Sequence, residues 1–74
     1  LMTYDAFVEE LARAGLTIRE FASLLGMRPN SITNNRKRGE VPDHLAVIAA
    51  LLSELRHSGV PAAPVFARLG LTKK

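Results

Sequence analysis

The polar and basic side chains that are able to bind a partner are concentrated in one segment, residues 27–39, which reads MRPNSITNNRKRG. We call it the basic segment. Its four cations are Arg28, Arg36, Lys37 and Arg38. No Asp or Glu occurs between Glu20 and Glu40, whereas the first ten residues hold three carboxylates. A net charge of +3 is a weak signal by itself, but this uneven distribution favours an anionic partner bound by the basic segment.

The sequence, by contrast, contains no set of residues suited to catalysis or to metal binding. The two histidines, His44 and His57, are 13 residues apart, and the chain has no cysteine. That is no metal-ligand spacing, and no carboxylate pair completes a site. A chain of 74 residues also leaves little material for a concave pocket. We therefore expect no enzyme, no catalytic residue, no metal, no cofactor and no small-molecule ligand.

The apolar residues show no pattern of a membrane protein. No run reaches the roughly 18 apolar residues that a membrane-spanning helix needs, and no signal peptide is visible. We expect no membrane partner and a cytoplasmic, nucleoid-associated location.

Apolar spacing predicts an all-α fold, a compact bundle of about five short helices, in one domain over residues 2–70 with a flexible tail at 71–74. Two helices precede the basic segment, one from Thr3 to Gly15 and one from Thr17 to Gly26. The second opens with the Thr-x-x-Glu spacing of a capping box, and its final glycine suits a left-handed helix end.

Three further helices are predicted. The third runs from Pro29 to about Arg36 with Ile32 as its apolar anchor, the fourth from Asp43 to about Arg56, and the fifth from about Ala62 to Leu69. The apolar faces predict a core made of Tyr4, Phe7, Val8, Leu11, Ile18, Phe21, Ala22, Leu25, Ile32, Leu45, Ile48, Ala49, Leu52, Leu55, Val65, Phe66 and Leu69.

The second and third helices, joined by a tight turn that contains glycine, are typical of a helix-turn-helix. The stretch IREFASLLGMRPNSITNNRKRGEVPDHLAVIAALL resembles the λ-repressor-like helix-turn-helix family, which includes the Cro and C1 repressors of phages and many bacterial relatives. Ala22, Gly26 and Ile32 stand at the intervals of that family, and the RKRG-x-x-P ending is most similar to the phage C1-repressor branch. The resemblance implies that the partner is double-stranded DNA and that the third helix lies in the major groove.

The resemblance also assigns individual contacts. The base contacts are Arg28, Asn30, Thr33 and Asn34. The phosphate contacts are Thr17, Arg19, Ser31, Arg36, Lys37 and Arg38. Arginine can bind guanine and asparagine can bind adenine through two hydrogen bonds each, while Ser31 could serve equally well as a local helix cap.

Two residues depart from the family pattern. Arg28 stands where Ser or Thr usually caps the helix, and Asn35 stands where an aromatic or large apolar residue is common. Since Asn35 is three residues after Ile32, we expect it to be half-buried and to bond the end of the helix.

A single module of this size buries about 600–1,000 Å² on DNA, which seldom suffices for tight specific binding. We therefore expect a homodimer that reads an inverted-repeat operator and represses transcription, with autoregulation of its own operon as one option. The predicted interface consists of Val47, Leu51, Val60, Pro64, Val65 and Phe66. The competing interpretation is that these residues complete the monomer core, which is favoured for Phe66.

An alternative from another functional class is a protein-interaction module with the same fold, such as an antitoxin or a co-regulator. Val47 and Leu51 lie off the main apolar stripe of the fourth helix and make it apolar over more than half its circumference. This second apolar face is the feature that supports a protein partner.

Overall fold

The computed structural model describes residues 1–70, and the predicted tail at 71–74 lies outside them. The described residues form five α-helices: α1 (Tyr4–Arg13), α2 (Ile18–Leu25), α3 (Pro29–Thr33), α4 (Asp43–His57) and α5 (Ala63–Leu69). A 3₁₀ turn, Asn34–Lys37, follows α3 directly. The predicted all-α bundle is confirmed. None of the helices in this range is long and apolar enough to cross a membrane.

Local capping residues define where the first two helices begin and end. The Thr3 hydroxyl accepts a hydrogen bond from the backbone N–H of Ala6 at 3.1 Å and starts α1. At α2 the capping box is complete, because Thr17 Oγ1 accepts from the Glu20 N–H at 3.0 Å and Glu20 Oε1 accepts from the Thr17 N–H at 2.9 Å. Gly26 ends α2 in the left-handed conformation, with φ 70°, which glycine adopts without a steric penalty.

The core lies where α1, α2 and α4 meet, with α1 packed on α4 and α2 packed on α3. Phe7 and Phe21 are completely buried, and their rings meet edge to face with centroids 5.4 Å apart. Such aromatic pairs contribute about 0.5–1.5 kcal/mol beyond the burial of their surface. Ile32 of the basic segment is also completely buried, so α3 is fixed to this core.

Five residues differ from the predicted core, and one of them is Val65, which is half-buried but does not pack against the core cluster. Leu69 is 58% exposed and Val8 is 37% exposed, although both were predicted to face inward. Of the short α5, only Phe66 reaches the core cluster, which leaves Leu69 at the surface. Val41 and Ser53 are buried but were not predicted, since Val41 lies in a loop without periodicity and Ser53 is polar.

A short antiparallel pairing joins the N-terminal residues to the loop that follows the basic segment. The Tyr4 N–H donates to the Gly39 carbonyl at 2.8 Å, and the Val41 N–H donates to the Met2 carbonyl at 3.1 Å. Thr3 and Glu40 form an isolated antiparallel β-bridge between these two segments. This pairing brings Val41 inside and fixes the end of the basic segment against the start of α1.

Candidate nucleic-acid interface

The basic segment is divided between one buried face and one exposed face. Ile32 and Asn35 are its buried residues. Among the predicted DNA contacts in this segment, Thr33 is half-buried and the others are exposed: Arg28, Asn30, Ser31, Asn34, Arg36, Lys37 and Arg38. The apolar anchor therefore fixes which side of the segment faces solvent, and that side carries the polar and basic residues.

The prediction that α3 continues to about Arg36 is wrong, because the α-helix ends at Thr33 and a 3₁₀ turn continues to Lys37. The side chain of Asn35 explains the change. Its Nδ2 donates to the Ile32 carbonyl at 3.0 Å and to the Ser31 carbonyl at 3.4 Å. These are the carbonyls that the next α-helical N–H groups would use, so a side-chain donor competes with the helix there. The expected bonding of Asn35 to the helix end is confirmed, and Asn35 is more deeply buried than expected.

Arg38 is fixed by the same asparagine. Its Nη2 donates to Asn35 Oδ1 at 3.1 Å, and its backbone N–H donates to the Asn35 carbonyl, also at 3.1 Å. Residues three apart lie above one another in a 3₁₀ helix, so the turn itself brings the two side chains together.

Arg36 lies over an aromatic ring instead. Its guanidinium carbon is 5.9 Å from the ring centroid of Tyr4, within the range of a cation–π interaction. Tyr4 is buried, and its hydroxyl has no hydrogen-bond partner among residues 1–70. Tyr4 therefore interacts with Arg36 through its aromatic ring and not through its hydroxyl.

The cations of the basic segment are not neutralised by carboxylates. Within the described part of the chain the one ion pair closer than 4.0 Å is Arg13–Glu10, at 3.5 Å on α1. Arg36, Lys37 and Arg38 are consecutive, exposed and without an acidic partner in that range. Three adjacent like charges without a counter-charge attract anions to this surface.

The start of α3 leaves polar groups available. Arg28 occupies the N-cap position with φ −81° and ψ 140°, and its side chain makes no capping hydrogen bond. The amides of Asn30 and Asn34 make no side-chain hydrogen bond to other groups of residues 1–70, whereas Thr33 Oγ1 has a long contact of 3.5 Å with the Asn30 carbonyl. Free amides on an exposed helix face are suited to pairing with base edges.

The start of α2 carries the other predicted phosphate contacts, Thr17 and Arg19, both exposed. The capping box uses the N–H groups of Thr17 and Glu20, which leaves the N–H groups of Ile18 and Arg19 for an anion. The Glu20 carboxylate lies at the same helix end and opposes an anion there. The Thr17 hydroxyl accepts one hydrogen bond and retains its proton for donation.

The predicted dimer residues do not all lie at the surface. Val47 is 56% exposed, Leu51 is 59% exposed and Val60 is 45% exposed. Pro64 is also exposed and Val65 is half-buried. Phe66, however, is only 9% exposed and belongs to the monomer core, which agrees with the interpretation favoured for it and removes it from the predicted interface.

A shallow groove of about 470 Å³ lies between the α1–α2 turn, the end of α4 and the α4–α5 loop. Its lining is mainly apolar, with Leu16, Leu24 and Leu52 among the residues. Arg56 is the ionisable side chain in the lining and lies against Gly15. No predicted DNA contact lines this groove, and residues 1–70 contain no group of three metal-binding side chains.

Comparisons with protein-family models, with curated proteins and with solved structures find no match to this chain.

Sequence reasoning did not predict three contacts around the basic segment: Asn35 with Arg38, Tyr4 with Arg36, and the pairing of residues 2–4 with 39–41. The spacing of Asn35 and Arg38 would have indicated the first of these only if the 3₁₀ turn had been known.

Proposed function

We propose that the protein is a sequence-specific DNA-binding regulator of transcription that acts as a dimeric repressor. One observation supports this above the others. The basic segment buries Ile32 and turns a row of cations and amides, unpaired with carboxylates in residues 1–70, to solvent. A surface of this composition matches the acceptor-rich, anionic surface of duplex DNA.

In the proposed complex, α3 enters the major groove with its N-terminal end toward the bases. Arg28, Asn30, Thr33 and Asn34 contact base edges, and each good bidentate pair supplies about 1–3 kcal/mol of discrimination.

Phosphate contacts come from both sides of α3. Thr17 and Arg19 lie at the start of α2, whereas Arg36, Lys37 and Arg38 follow α3. Contacts on both sides fix the register of the helix in the groove, which is the usual role of phosphate contacts.

Dimerisation would supply the affinity that one module lacks. Val47 and Leu51 are one helical turn apart on α4, and each exposes more than half of its side chain. A two-fold dimer through this face would read an inverted repeat with half-sites about 34 Å apart and would repress by occluding a promoter. We place this activity in the cytoplasm, on the nucleoid.

The same apolar face favours a second candidate, a protein-interaction module whose main partner is another protein, as in an antitoxin or co-regulator. The two candidates predict different effects of removing the basic segment's cations. A protein-interaction module that uses α4 keeps its partner affinity, whereas a DNA-binding regulator loses its operator affinity.

The deciding experiment compares two triple variants with equal net charge. The test variant is Arg36→Ala with Lys37→Ala and Arg38→Ala. The control variant is Arg13→Ala with Arg56→Ala and Arg68→Ala, which removes three cations outside the basic segment. The test variant is expected to lower the slope of log affinity against log salt by about 2.7, since each phosphate contact contributes about 0.9. The control is expected to retain most of the wild-type slope. Equal effects of both variants would mean attraction through net charge and would refute the proposed surface.

A further inference from the structure

The clearest feature that the proposed function leaves unexplained is a buried asparagine beneath an exposed arginine. Asn35 is 8% exposed and is the buried polar residue of an otherwise exposed turn. Its side chain makes three hydrogen bonds, as a donor to Ile32 and Ser31 carbonyls and as an acceptor from Arg38. A buried amide is tolerated only when its hydrogen-bonding groups are satisfied, and here one of its partners is a surface cation.

The chemistry of the acceptor matters for what Arg38 can do. An amide oxygen carries no net charge, so it orients the guanidinium without cancelling its positive charge. A carboxylate at the same position would form an ion pair, and an apolar side chain would leave Arg38 free to rotate. Because Arg38 has no carboxylate within 4.0 Å among residues 1–70, its charge remains available.

We propose that Asn35 is a positioning residue that holds the Arg38 guanidinium in place while leaving its positive charge to an anionic partner. The asparagine also ends the α-helical part of the basic segment, so one side chain sets both the shape of the turn and the direction of its last cation. In so far as the anion is a DNA phosphate, this inference rests on the proposed function. The hydrogen bond from Arg38 to Asn35 is present in the free protein, so the positioning role can be tested without DNA.

The DNA-free test measures the ¹⁵N heteronuclear NOE of the arginine Nε–Hε groups. Arg38 is expected to be more ordered than Arg19, an exposed arginine with no side-chain hydrogen bond or ion pair among residues 1–70. In Asn35→Leu, which is similar in size and suits a buried position, Arg38 is expected to become as mobile as Arg19. Equal mobility of the two arginines in the wild type would overturn the proposal.

The DNA test is a double-mutant cycle of Asn35→Leu and Arg38→Ala. Asn35→Leu is expected to weaken DNA binding by a factor at least about 3-fold larger in the wild type than when Arg38 is already alanine, because the bonds that shape the turn are lost in both backgrounds whereas the fixed guanidinium is lost only in the first. A purely structural role would weaken binding equally in both backgrounds and would overturn the proposal. Asn35→Ala serves the same cycle if circular dichroism shows that the leucine variant is unfolded.

The variant Asn35→Asp tests the claim about charge. It is expected to keep Arg38 ordered yet to lower the salt slope by about 0.9, the value of one lost phosphate contact. An unchanged slope would refute that part of the proposal.

If the wild type binds no DNA while Arg38 is ordered through Asn35, the proposed function fails and the positioning role stands. If the wild type binds DNA tightly while the effects of Asn35→Leu and Arg38→Ala on affinity are additive, the proposed function stands and the positioning role fails.

Discussion

Replacing Arg28 by serine is expected to raise the stability of the protein and to weaken its binding to DNA. Arg28 already has the extended backbone of an N-cap residue, with φ −81° and ψ 140°, but its side chain caps nothing. A serine hydroxyl in this conformation would accept a hydrogen bond from the first turn of α3. A good cap contributes about 0.5–2 kcal/mol relative to a residue that does not cap. For a domain of this size about 1 kcal/mol corresponds to a rise in Tm of about 4–8 °C.

The expected loss of DNA affinity follows from the proposed base contact. A bidentate arginine–guanine pair contributes about 1–3 kcal/mol, which corresponds to a loss of about 5- to 150-fold. The assays are thermal unfolding followed by circular dichroism and fluorescence anisotropy with a duplex obtained by selection.

Arg28→Ala is the matched control for this prediction. It removes the charge without adding a cap, so its Tm is expected to stay near that of the wild type while its affinity falls as far as that of the serine variant. A serine variant no more stable than the alanine variant would refute the capping argument. Wild-type affinity in both variants would refute the base contact.

Three further predictions test other parts of the structure. Leu51→Glu is expected to leave the fold intact, because Leu51 is 59% exposed, and to abolish the dimer in analytical ultracentrifugation. The control Leu52→Glu is expected to unfold the chain, because Leu52 is only 5% exposed. A stable dimer of Leu51→Glu would rule out this interface. Tyr4→Phe is expected to be neutral or stabilising in urea unfolding, because the buried hydroxyl has no partner among residues 1–70. A loss above about 1 kcal/mol would mean that the hydroxyl is hydrogen-bonded and would contradict this prediction. Thr17→Ala is expected to lower stability by about 0.5–2 kcal/mol through loss of the capping box, while Thr17→Ser keeps it; equal losses in both variants would contradict that cause.

Sequence patterns predicted the parts of the fold that depend on neighbouring residues. The capping box at Thr17, the glycine at 26 and the proline at the start of α3 each act within one helical turn, so the helix boundaries they predict agree with the structure. The burial of Ile32 is predicted in the same way, because it is the single large apolar residue of α3 apart from the proline that starts the helix.

The features that sequence patterns missed depend on specific side-chain geometry or on distant parts of the chain. Helical periodicity cannot show that Asn35 captures two carbonyls and converts the end of α3 into a 3₁₀ turn. Val41 is buried because the N-terminal segment pairs with its loop, a contact between residues far apart in sequence. Leu69 has the spacing of a core residue, but α5 brings only Phe66 into the core cluster.

The most direct test of the central claim is the selection of bound duplexes from a random DNA pool at two salt concentrations. The account predicts enrichment of an inverted repeat with a fixed centre spacing, and a motif that persists when salt weakens the overall affinity. Changes at Asn30 or Asn34 should then alter single positions of that motif. Binding without any enriched sequence, fading uniformly as salt rises, would mean attraction to the phosphate backbone alone and would contradict sequence-specific recognition by the basic segment.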